Sequence, residues 1–335
     1  MRRRSERALT PRRHRVSRRH VVVVRAVTGS CYVDGVGLDD PPPSSLQGHP
    51  RFTVRRPIGR GAFGVVYEAH DRDRDERVAL KTLPPVDEQG ARRRHEEFAR
   101  LAAIRHPNVV RLDALVKHRD AWFFTMELVD GTDFVSHVRP PRVRHTPWRP
   151  TLPLAFGEPL QEGGVSAFVK PTSEELARLR AVLPGLAHGV CALHEAGRVH
   201  RDLGPANVLV DRRGRVVVLD LDLDAAHRAD ADDVVAGTAA YMAPEQGGHP
   251  GDATAACDWY AVGVMLFEAL TSALPFAGTA QEVMVRKQTT SAPAPSFVVD
   301  LPTAIDLDEL CVKLLRRDPV QRADAREVLR VVDRP

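Results

Sequence analysis

A short stretch of the chain, HRDLGPAN at residues 200–207, holds the residue types of a catalytic loop. A candidate base, a cation and an amide occur within this one stretch, and such a grouping is typical of side chains that act on one reacting group. Gly204, between the acid and the amide of this stretch, has no side chain that could contribute a charge. The stretch therefore leaves two alternatives, a loop that carries out chemistry and a loop that only helps to hold a ligand.

A glycine-rich stretch, GRGAFGVV at residues 59–66, lies between two strand-like patterns. Glycine allows backbone conformations in which amide N–H groups approach phosphate oxygens closely. Taken alone, Gly59, Gly61 and Gly64 fit a flexible hairpin or a dinucleotide-binding turn equally well. The dinucleotide-binding turn requires a helix directly after the glycines, whereas a valine-rich strand pattern follows here.

A lysine on the next strand pattern, Lys81 in VALK, could bind phosphate groups as a point charge. A buried ammonium needs an acidic partner, and the helix predicted at 87–104 offers Glu96 and Glu97. Leu101 lies four residues after Glu97 on the same helical face, which favours an inward position for Glu97. The alternative is that Lys81 is an exposed strand lysine and that both glutamates are solvated.

Short strand-like patterns of apolar residues predict that the first part of the chain is a small sheet-rich unit. Apolar residues at helical spacing predict that the second part is mainly helical. In the second part, Ser173 is predicted to cap a helix over 173–197, and Pro184 should kink that helix unless a new one begins there. The other predicted elements are strands at 52–59, 64–70, 77–83, 109–116, 122–129, 207–210 and 215–220, and helices at 87–104, 258–271, 306–316 and 324–332.

The N-terminal stretch differs in charge from the rest of the chain. Of the net charge of +4, residues 1–50 contribute +6 and the remaining residues contribute −2. We predict that residues 1–50 are a basic, disordered leader and linker, although an arm for nucleic acid or anionic membranes and a transit peptide have similar composition. Residues 138–172, with seven prolines, are predicted to form a surface insertion.

The remaining composition is that of an ordinary globular protein, with 43% hydrophobic and 27% charged residues. No apolar run approaches the roughly 20 residues that span a bilayer, so no membrane segment is expected. The four cysteines, Cys31, Cys191, Cys257 and Cys311, lie far apart without a CxxC pair. We therefore expect free thiols and a cytoplasmic location.

Seven motifs occur in one order along residues 52–333: GxGxxGxV, VALK, HPNVV, HRDLGPAN, LD, GTAAYMAPE and DWYAVG. In this combination the chain resembles the eukaryotic-type (Hanks-type) protein kinase family, particularly its bacterial serine/threonine members. The resemblance implies an α+β, bilobal fold, with a five-stranded N-lobe carrying one helix at 51–130 and a larger, mainly helical C-lobe at 131–335. It also implies that ATP and Mg²⁺ (or Mn²⁺) bind between the two lobes.

The resemblance assigns roles to particular residues of this sequence. Asp202 would be the catalytic base, while Lys81 would be held by Glu97, whose register is set by the HPN motif nine positions later. Asn207 and Asp220 would hold the metal ion through oxygen atoms. The implied ATP-binding residues are Gly59, Gly61, Gly64, Val66, Ala79, Lys81, Met126 as gatekeeper, Glu127 and Val129 through their backbones, and Leu209, and the implied structural or regulatory residues are Arg201, Thr238, Glu245 paired with Arg322, and Asp258.

Three departures from the family pattern bear on activity. Gly204 replaces the lysine that contacts the transferring phosphate, and Ala206 supplies no charge in its place. Asp222 replaces the glycine of the metal-binding DFG motif, which removes backbone freedom and adds a carboxylate. The segment from Asp220 to Gly237 contains no Ser, Thr or Tyr, so we expect an aspartate among 230, 232 and 233 to replace the usual phosphate.

These observations favour an ATP-dependent protein serine/threonine kinase whose activity is reduced. The alternative is a pseudokinase, an ATP-binding regulatory scaffold without catalysis; phosphorylation of a small molecule is disfavoured by GTAAYMAPE, which in the family docks a peptide. The expected partner is a protein substrate. Because the chain stops just after its last kinase-like helix, two alternatives stay open, a fragment of a longer protein and a chain that works with a separate sensor protein. No specific nucleic-acid partner is expected.

Overall fold

The computed structural model describes residues 43–61, 64–140, 168–221, 223, 239–247 and 253–334. Its N-terminal part is a five-stranded antiparallel sheet with strand order β1-β2-β3-β5-β4 and one long helix, α1. The α+β, two-lobed fold predicted from the sequence is therefore confirmed. The elements of this part are β1 (Phe52–Gly61), β2 (Gly64–Asp71), β3 (Glu76–Leu83), α1 (Glu88–Ala102), β4 (Leu112–His118) and β5 (Ala121–Glu127).

The register of the sheet places the predicted nucleotide-binding side chains on one face. Val66 on β2 is paired with Lys81 on β3, which in turn is paired with Phe124 on β5. Ala79 lies opposite Met126 in the same ladder. Directly paired residues share a face, and so do residues two positions apart. This face packs into the large hydrophobic core that continues into the C-terminal part.

The opposite face of the sheet has its own small core, which includes part of the predicted linker. Leu46, in a 3₁₀ turn at Ser44–Leu46, is 2% exposed and packs with Phe52, Tyr67 and Phe123. The prediction of a disordered segment up to residue 50 was therefore wrong for residues 43–50. One apolar side chain, set among polar and proline residues, gives too weak a pattern to reveal this contact.

The first helix is amphipathic and begins where its capping residue predicts. The Asp87 side chain accepts a hydrogen bond of 2.7 Å from the Gly90 backbone amide, which satisfies one of the free N–H groups of the first turn. Leu101 is buried, and Phe98 packs against Phe124 of the sheet with ring centroids 6.4 Å apart. These contacts fix the inward face of α1 against the sheet.

The C-terminal part is mainly helical, as predicted. It contains a three-stranded sheet of order β6-β7-β8, and the helix α4 is almost entirely buried. Its elements are β6 (Gly131–Asp133), α2 (Phe134–Val138), α3 (Ser173–Glu195), β7 (Val208–Asp211), β8 (Val216–Val218), α4 (Ala255–Thr271), α5 (Ala280–Thr289), α6 (Pro295–Val298), α7 (Ile305–Leu314) and α8 (Ala325–Val332).

The long helix α3 differs from its prediction in the residue that caps its start. Its N-cap is Thr172, which forms a capping box with Glu175, so Ser173 is the first helical residue and not the cap. The helix continues through Pro184 from Ser173 to Glu195 without a new start. By length and composition α3 could cross a membrane, but half of the relevant window is buried in the protein, and a core helix passes the same test.

A segment predicted as part of a strand instead ties the two lobes together. Val109 forms a parallel bridge with Val218, and the Val110 amide donates to the Val218 carbonyl at 2.9 Å. The Asn108 side chain adds a hydrogen bond of 2.8 Å to the Val216 carbonyl. β4 therefore begins only at Leu112, because the residues before it pair with β8 of the C-terminal part. Of the proline-rich insertion predicted at 138–172, residues 141–167 lie outside the described part of the chain.

Candidate active site

The backbone at the start of the HRDLGPAN loop is bonded to one buried carboxylate, that of Asp258 on α4. Its two oxygens accept hydrogen bonds of 2.8 Å from the backbone amides of His200 and Arg201, and the His194 ring nitrogen lies 2.8 Å away. Asp258 is 1% exposed, so these bonds satisfy a charge that water does not reach. This is the geometry that a residue bracing the catalytic loop requires.

Within the loop, the candidate base Asp202 is fixed by its neighbours. Arg201 has a left-handed backbone, with φ of 66°, which turns the chain sharply before Asp202. The Asn207 amide group donates to the Asp202 carbonyl at 2.8 Å and reaches its carboxylate at 3.4 Å. Pro205 begins a short 3₁₀ turn that carries Asn207 back toward Asp202. The base and the amide predicted from the sequence are thus in direct contact.

Asp220 is brought to the same place by the strand that precedes it. The Leu219 amide donates to the Asn207 carbonyl at 2.8 Å, and the His200 ring lies 2.7 Å from the Leu219 carbonyl. Asp220 itself has φ of 56°, a conformation that aspartate tolerates better than most residues. Two contacts of Leu219, the residue after β8, therefore connect this segment to the HRDLGPAN loop next to the predicted metal ligands.

The donor set fits a hard divalent cation. Asn207 uses its amide NH₂ for Asp202, which leaves its carbonyl oxygen as a ligand, and Asp220 supplies a carboxylate. Oxygen ligands of this kind suit Mg²⁺ or Mn²⁺, which also take ligands from substrate phosphates. Among the described residues there is no cluster of three or more His, Cys, Asp or Glu that would form an all-protein metal cage.

The structure does not contain the predicted ion pair between Lys81 and Glu97. The Lys81 ammonium instead contacts an Asp220 carboxylate oxygen. Glu97 contacts the guanidinium of Arg198, in the turn after α3, and lies 3.9 Å from Arg100 on its own helix. This prediction was wrong for the conformation described, because the Lys81 ammonium lies against Asp220 and the Glu97 carboxylate lies against Arg198.

The glycine-rich hairpin contains one position where the backbone itself requires glycine. Gly64 has φ of 154°, and a Cβ placed there would lie 2.2 Å from the Thr82 carbonyl oxygen. The hydroxyl of Thr82 also accepts a hydrogen bond of 2.9 Å from the Val65 amide. Gly59 and Gly61 lie on β1 of this hairpin, whose tip at residues 62–63 is outside the described part of the chain. Close approach of the β2 and β3 backbones is therefore what Gly64 provides.

The predicted adenine-binding side chains come from both lobes and meet in one core. Val66, Ala79 and Met126 from the sheet pack in the same cluster as Val129 and Leu209. Leu209 lies on β7, so apolar side chains of the N-lobe and of the C-lobe meet in this core. The Glu127 side chain takes no part in this core, and its carboxylate lies 3.2 Å from the Arg215 guanidinium.

The backbone conformation at Gly204 does not require glycine. Its φ of −171° and ψ of 173° are extended values that any residue can adopt. A Cβ placed there would lie 3.5 Å from the Tyr241 ring, which is an ordinary van der Waals contact. The missing lysine is thus a loss of charge and not a requirement of the fold.

The Tyr241 side chain beside Gly204 is bonded to a buried acid. Its hydroxyl donates to Glu268 at 2.6 Å, and burial raises the pKa of Glu268 to about 7.

The segment after the motif GTAAYM is joined to the rest of the C-lobe by a buried ion pair. Arg322, whose side chain has no exposed surface, binds Glu245 through two hydrogen bonds of 2.7 and 3.0 Å. Gln246 connects the same segment to the catalytic loop, donating to the Arg201 carbonyl at 2.8 Å and accepting from the Ala243 amide at 2.7 Å. The predicted pair Glu245–Arg322 is present, and Gln246 is an addition that the sequence did not reveal.

Several predicted residues lie outside the described part of the chain. These are Asp222, Thr238 and the candidate phosphate substitutes at positions 230, 232 and 233. Leu221, next to Asp222, is 6% exposed and packs in the same core as Leu101 and Leu112.

Sequence reasoning missed Arg198 and Tyr241 as parts of the site. Arg198 lies just outside the HRD motif, and only the position of α1 reveals that it meets Glu97. Tyr241 is inside a quoted motif, but its contact with the Gly204 position depends on how two loops pack. A charged residue beside a catalytic motif is a weak signal that could have prompted attention to Arg198.

Comparison with known proteins agrees with this geometry. A family model described as the protein kinase domain matches residues 52–332. The serine/threonine-protein kinase PrkC of Bacillus subtilis is 27% identical over 83% of this chain and 39% of its own length. The probable serine/threonine-protein kinase SCO3848 of Streptomyces coelicolor is 29% identical over 84% of this chain and 39% of its own length. The serine/threonine-protein kinase PknL of Mycobacterium tuberculosis is 32% identical over 86% of this chain and 66% of its own length.

The matched region of this chain thus spans about two fifths of the length of the first two relatives. The family match nevertheless includes both lobes and every element that positions the candidate site. The chain therefore belongs to the protein kinase family, among its Hanks-type bacterial serine/threonine members.

Proposed function

We propose that this chain transfers the γ-phosphate of ATP, with Mg²⁺ or Mn²⁺, to serine or threonine hydroxyl groups of a protein substrate, at a reduced rate. The observation that carries the proposal is the contact between Asp202 and Asn207. This contact supports the proposal, because a carboxylate able to accept a hydroxyl proton lies beside an amide group whose oxygen is left to bind a metal ion. Asp258 holds the backbone of this loop in place from a buried position.

Each residue of the site then has a defined task. Asp202 accepts the proton of the substrate hydroxyl, and Asn207 and Asp220 hold the metal ion that neutralises charge on the phosphates. Lys81 binds the α- and β-phosphates as a point charge once it leaves Asp220. The purine ring would bind between apolar side chains of the two lobes, among them Ala79 and Leu209, which meet in one core.

The second candidate function is that of a pseudokinase, which binds nucleotide without catalysis. It is favoured by the contacts Lys81–Asp220 and Glu97–Arg198, which occupy side chains that phosphate transfer needs. The absence of a cation at Gly204 also favours it.

The location in the cytoplasm and a separate sensor partner remain proposals. The buried free thiols of Cys191, Cys257 and Cys311 support a reducing compartment.

One experiment separates the two functions. The wild-type chain is incubated with γ-labelled ATP, Mg²⁺ and a generic basic protein, and Mg-ATP binding is measured in parallel. We expect label on serine or threonine of the substrate, and a strong reduction in the Lys81→Met variant, which removes the phosphate-binding charge. Binding of Mg-ATP with no transfer by the wild type would favour the pseudokinase, and absence of both would contradict the proposal.

A further prediction concerns the competition between Arg198 and Lys81 for Glu97. Replacing Arg198 by Gln removes the charge that holds Glu97 away from Lys81. The pair Lys81–Glu97 then becomes available, and we expect kcat/KM for ATP to rise about 5-fold or more, the usual range for coupling between two conformations. Steady-state kinetics at low ionic strength measure this effect, because salt weakens both ion pairs.

The matched control for Arg198→Gln is Arg100→Gln. The Arg100 side chain is 70% exposed and lies 3.9 Å from the same glutamate, so it contributes little to its position. We expect Arg100→Gln to change kcat/KM for ATP by less than about 2-fold. An equal effect of the two variants, or a fall in activity with Arg198→Gln, would show that Arg198 does not compete with Lys81.

A further inference from the structure

A lysine far from the nucleotide site, Lys287 of α5, is buried in an unusual way. It is 1% exposed, and its ammonium nitrogen donates to three backbone carbonyl oxygens. The acceptors are Ala239 at 2.8 Å, Ala240 at 2.7 Å and Met242 at 2.7 Å. An ammonium group has three N–H donors, so each of them has one acceptor here.

The surroundings of Lys287 contain no counter-charge among the described residues. Its other close neighbour is the ring of Tyr260 on α4, with the ring centroid 5.2 Å from the ammonium nitrogen. Arg322 also lies over this ring, at 5.1 Å, but its charge is taken up by Glu245. A lone buried cation costs stability, so three carbonyl oxygens and one aromatic face have to compensate for the loss of water.

The three carbonyls belong to a segment that touches the catalytic loop. We call residues 239–247 the docking segment, since it contains most of the family motif that faces the substrate. Within it, Tyr241 lies beside the Gly204 position, and Gln246 donates to the Arg201 carbonyl at 2.8 Å. Lys287 is therefore bonded to the backbone on either side of Tyr241, the residue that abuts the loop carrying Asp202.

We propose that Lys287 is a positioning residue for the protein substrate: its ammonium fixes the backbone at residues 239–242, so that the docking segment presents a set surface to the substrate chain beside Asp202. The proposal rests on the proposed function, because it concerns the same site. Loss of the ammonium would remove this donor from three carbonyl oxygens, one of them in a buried bond and two in part-buried bonds, and the loss of such bonds favours rearrangement of the backbone.

Protonation of Lys287 gives the proposal a direction with pH. Burial lowers the pKa of Lys287 from 10.5 to about 7. Above that pH the amine has two N–H donors for three carbonyls, so the docking segment is held less firmly and the KM for the protein substrate should rise. The contribution of Lys287 to the free energy of unfolding should nevertheless rise with pH between about 7 and 10.5. In this range the unfolded chain keeps Lys287 protonated and the folded chain does not.

Other groups near the docking segment must be separated from Lys287 in such a profile. Glu268, bonded to Tyr241, has a pKa raised to about 7 and titrates in the same range. Burial raises the pKa of Tyr260 and of Tyr241, so both stay neutral here. The Lys287→Arg variant keeps a permanent cation, so the part of the pH dependence of KM that this variant loses belongs to Lys287 and not to Glu268.

The test compares Lys287→Met and Lys287→Arg with Lys313→Met, a control lysine that is half exposed and pairs with Glu327. For Lys287→Met at pH 6.5 we expect KM for the basic protein substrate to rise at least roughly 10-fold, while the Kd of Mg-ATP changes less than about 2-fold. Lys287→Arg should retain a low KM and a flatter pH profile. Equal losses of substrate and Mg-ATP affinity would reduce Lys287 to a general structural role and overturn the proposal.

A measurement that keeps Lys287 decides the matter if Lys287→Met does not fold. Hydrogen exchange of the amides in residues 239–247 is compared at pH 6 and pH 8, in the wild type and in Glu268→Gln, which removes the other group that titrates near pH 7. After correction for the intrinsic exchange rates, lower protection at pH 8 in both proteins supports the proposal, and equal protection at the two pH values in Glu268→Gln overturns it. The same measurement stands alone if the wild type transfers no phosphate, an outcome that contradicts the proposed function and not the contact of Lys287 with the docking segment.

Discussion

Replacing Asp202 by Asn is expected to lower kcat for phosphate transfer by about 10²–10⁴-fold, the usual contribution of a general base. Asparagine has nearly the same shape but cannot accept a proton from the substrate hydroxyl. Its neighbour Asn207 bonds mainly to the Asp202 backbone carbonyl, at 2.8 Å, and this bond survives the substitution. The loop also keeps its two bonds to Asp258, so Mg-ATP binding should stay close to that of the wild type.

Single-turnover transfer of γ-phosphate to a basic protein, with Mg-ATP binding measured in parallel, checks this expectation. A suitable control is Asp300→Asn, because Asp300 is an exposed carboxylate away from the site. We expect the control to transfer phosphate at the wild-type rate. Wild-type transfer by Asp202→Asn would remove Asp202 from the reaction, whereas loss of nucleotide binding would show that its carboxylate has a structural role.

The sheet of the N-lobe could be predicted closely because its information is local. The pattern at 64–70 predicted β2, which runs from Gly64 to Asp71, and the pattern at 77–83 predicted β3, which runs from Glu76 to Leu83. Alternation of apolar residues reports directly on which side chains face a core. The glycine before Val65 ends the hairpin at a position where the backbone of Thr82 leaves no room for a side chain.

The partner of Lys81 could not be predicted in the same way. Glu97 was identified through the family register, but its position depends on how α1 is placed against the C-lobe. Arg198 lies about a hundred residues further along the chain and meets Glu97 only in the folded protein. Alternative ion pairs at this partly exposed site differ in free energy by roughly 1 kcal/mol, which is too little to be inferred from spacing.

The helix α5 was missed because its face toward the core carries a lysine. Val283 and Lys287 are its buried residues, so the apolar periodicity that marks an ordinary surface helix is absent. The sequence did contain a signal, since Thr279 and Glu282 form a capping box at the start of the helix. The same signal at Thr172 and Glu175 would have corrected the start of α3, and capping patterns therefore deserve equal weight with apolar periodicity.

Replacing Gly204 by Lys is expected to raise kcat roughly 10²-fold, the lower end of the loss that one charged transition-state contact causes. The backbone at Gly204 is extended and precedes Pro205, a conformation that lysine adopts without strain. The added Cβ would lie 3.5 Å from the Tyr241 ring, so the side chain begins in an open position. An ammonium group carried by this loop, next to Asp202, can reach the phosphate during transfer. Single-turnover kinetics with saturating Mg-ATP measure the gain.

The matched control is Gly204→Met, which adds a chain of similar length without charge. We expect its kcat to stay within about 3-fold of the wild type, because added packing against Tyr241 supplies no charge to the transferring phosphate. Equal gains in both variants would mean that glycine slows the reaction through loop flexibility and not through a missing cation. No gain with Gly204→Lys, while Mg-ATP still binds, would place the limit elsewhere in the site and favour the pseudokinase. A gain confined to the lysine variant would instead mean that Asp202, Asn207 and Asp220 are already competent and that one absent charge sets the rate.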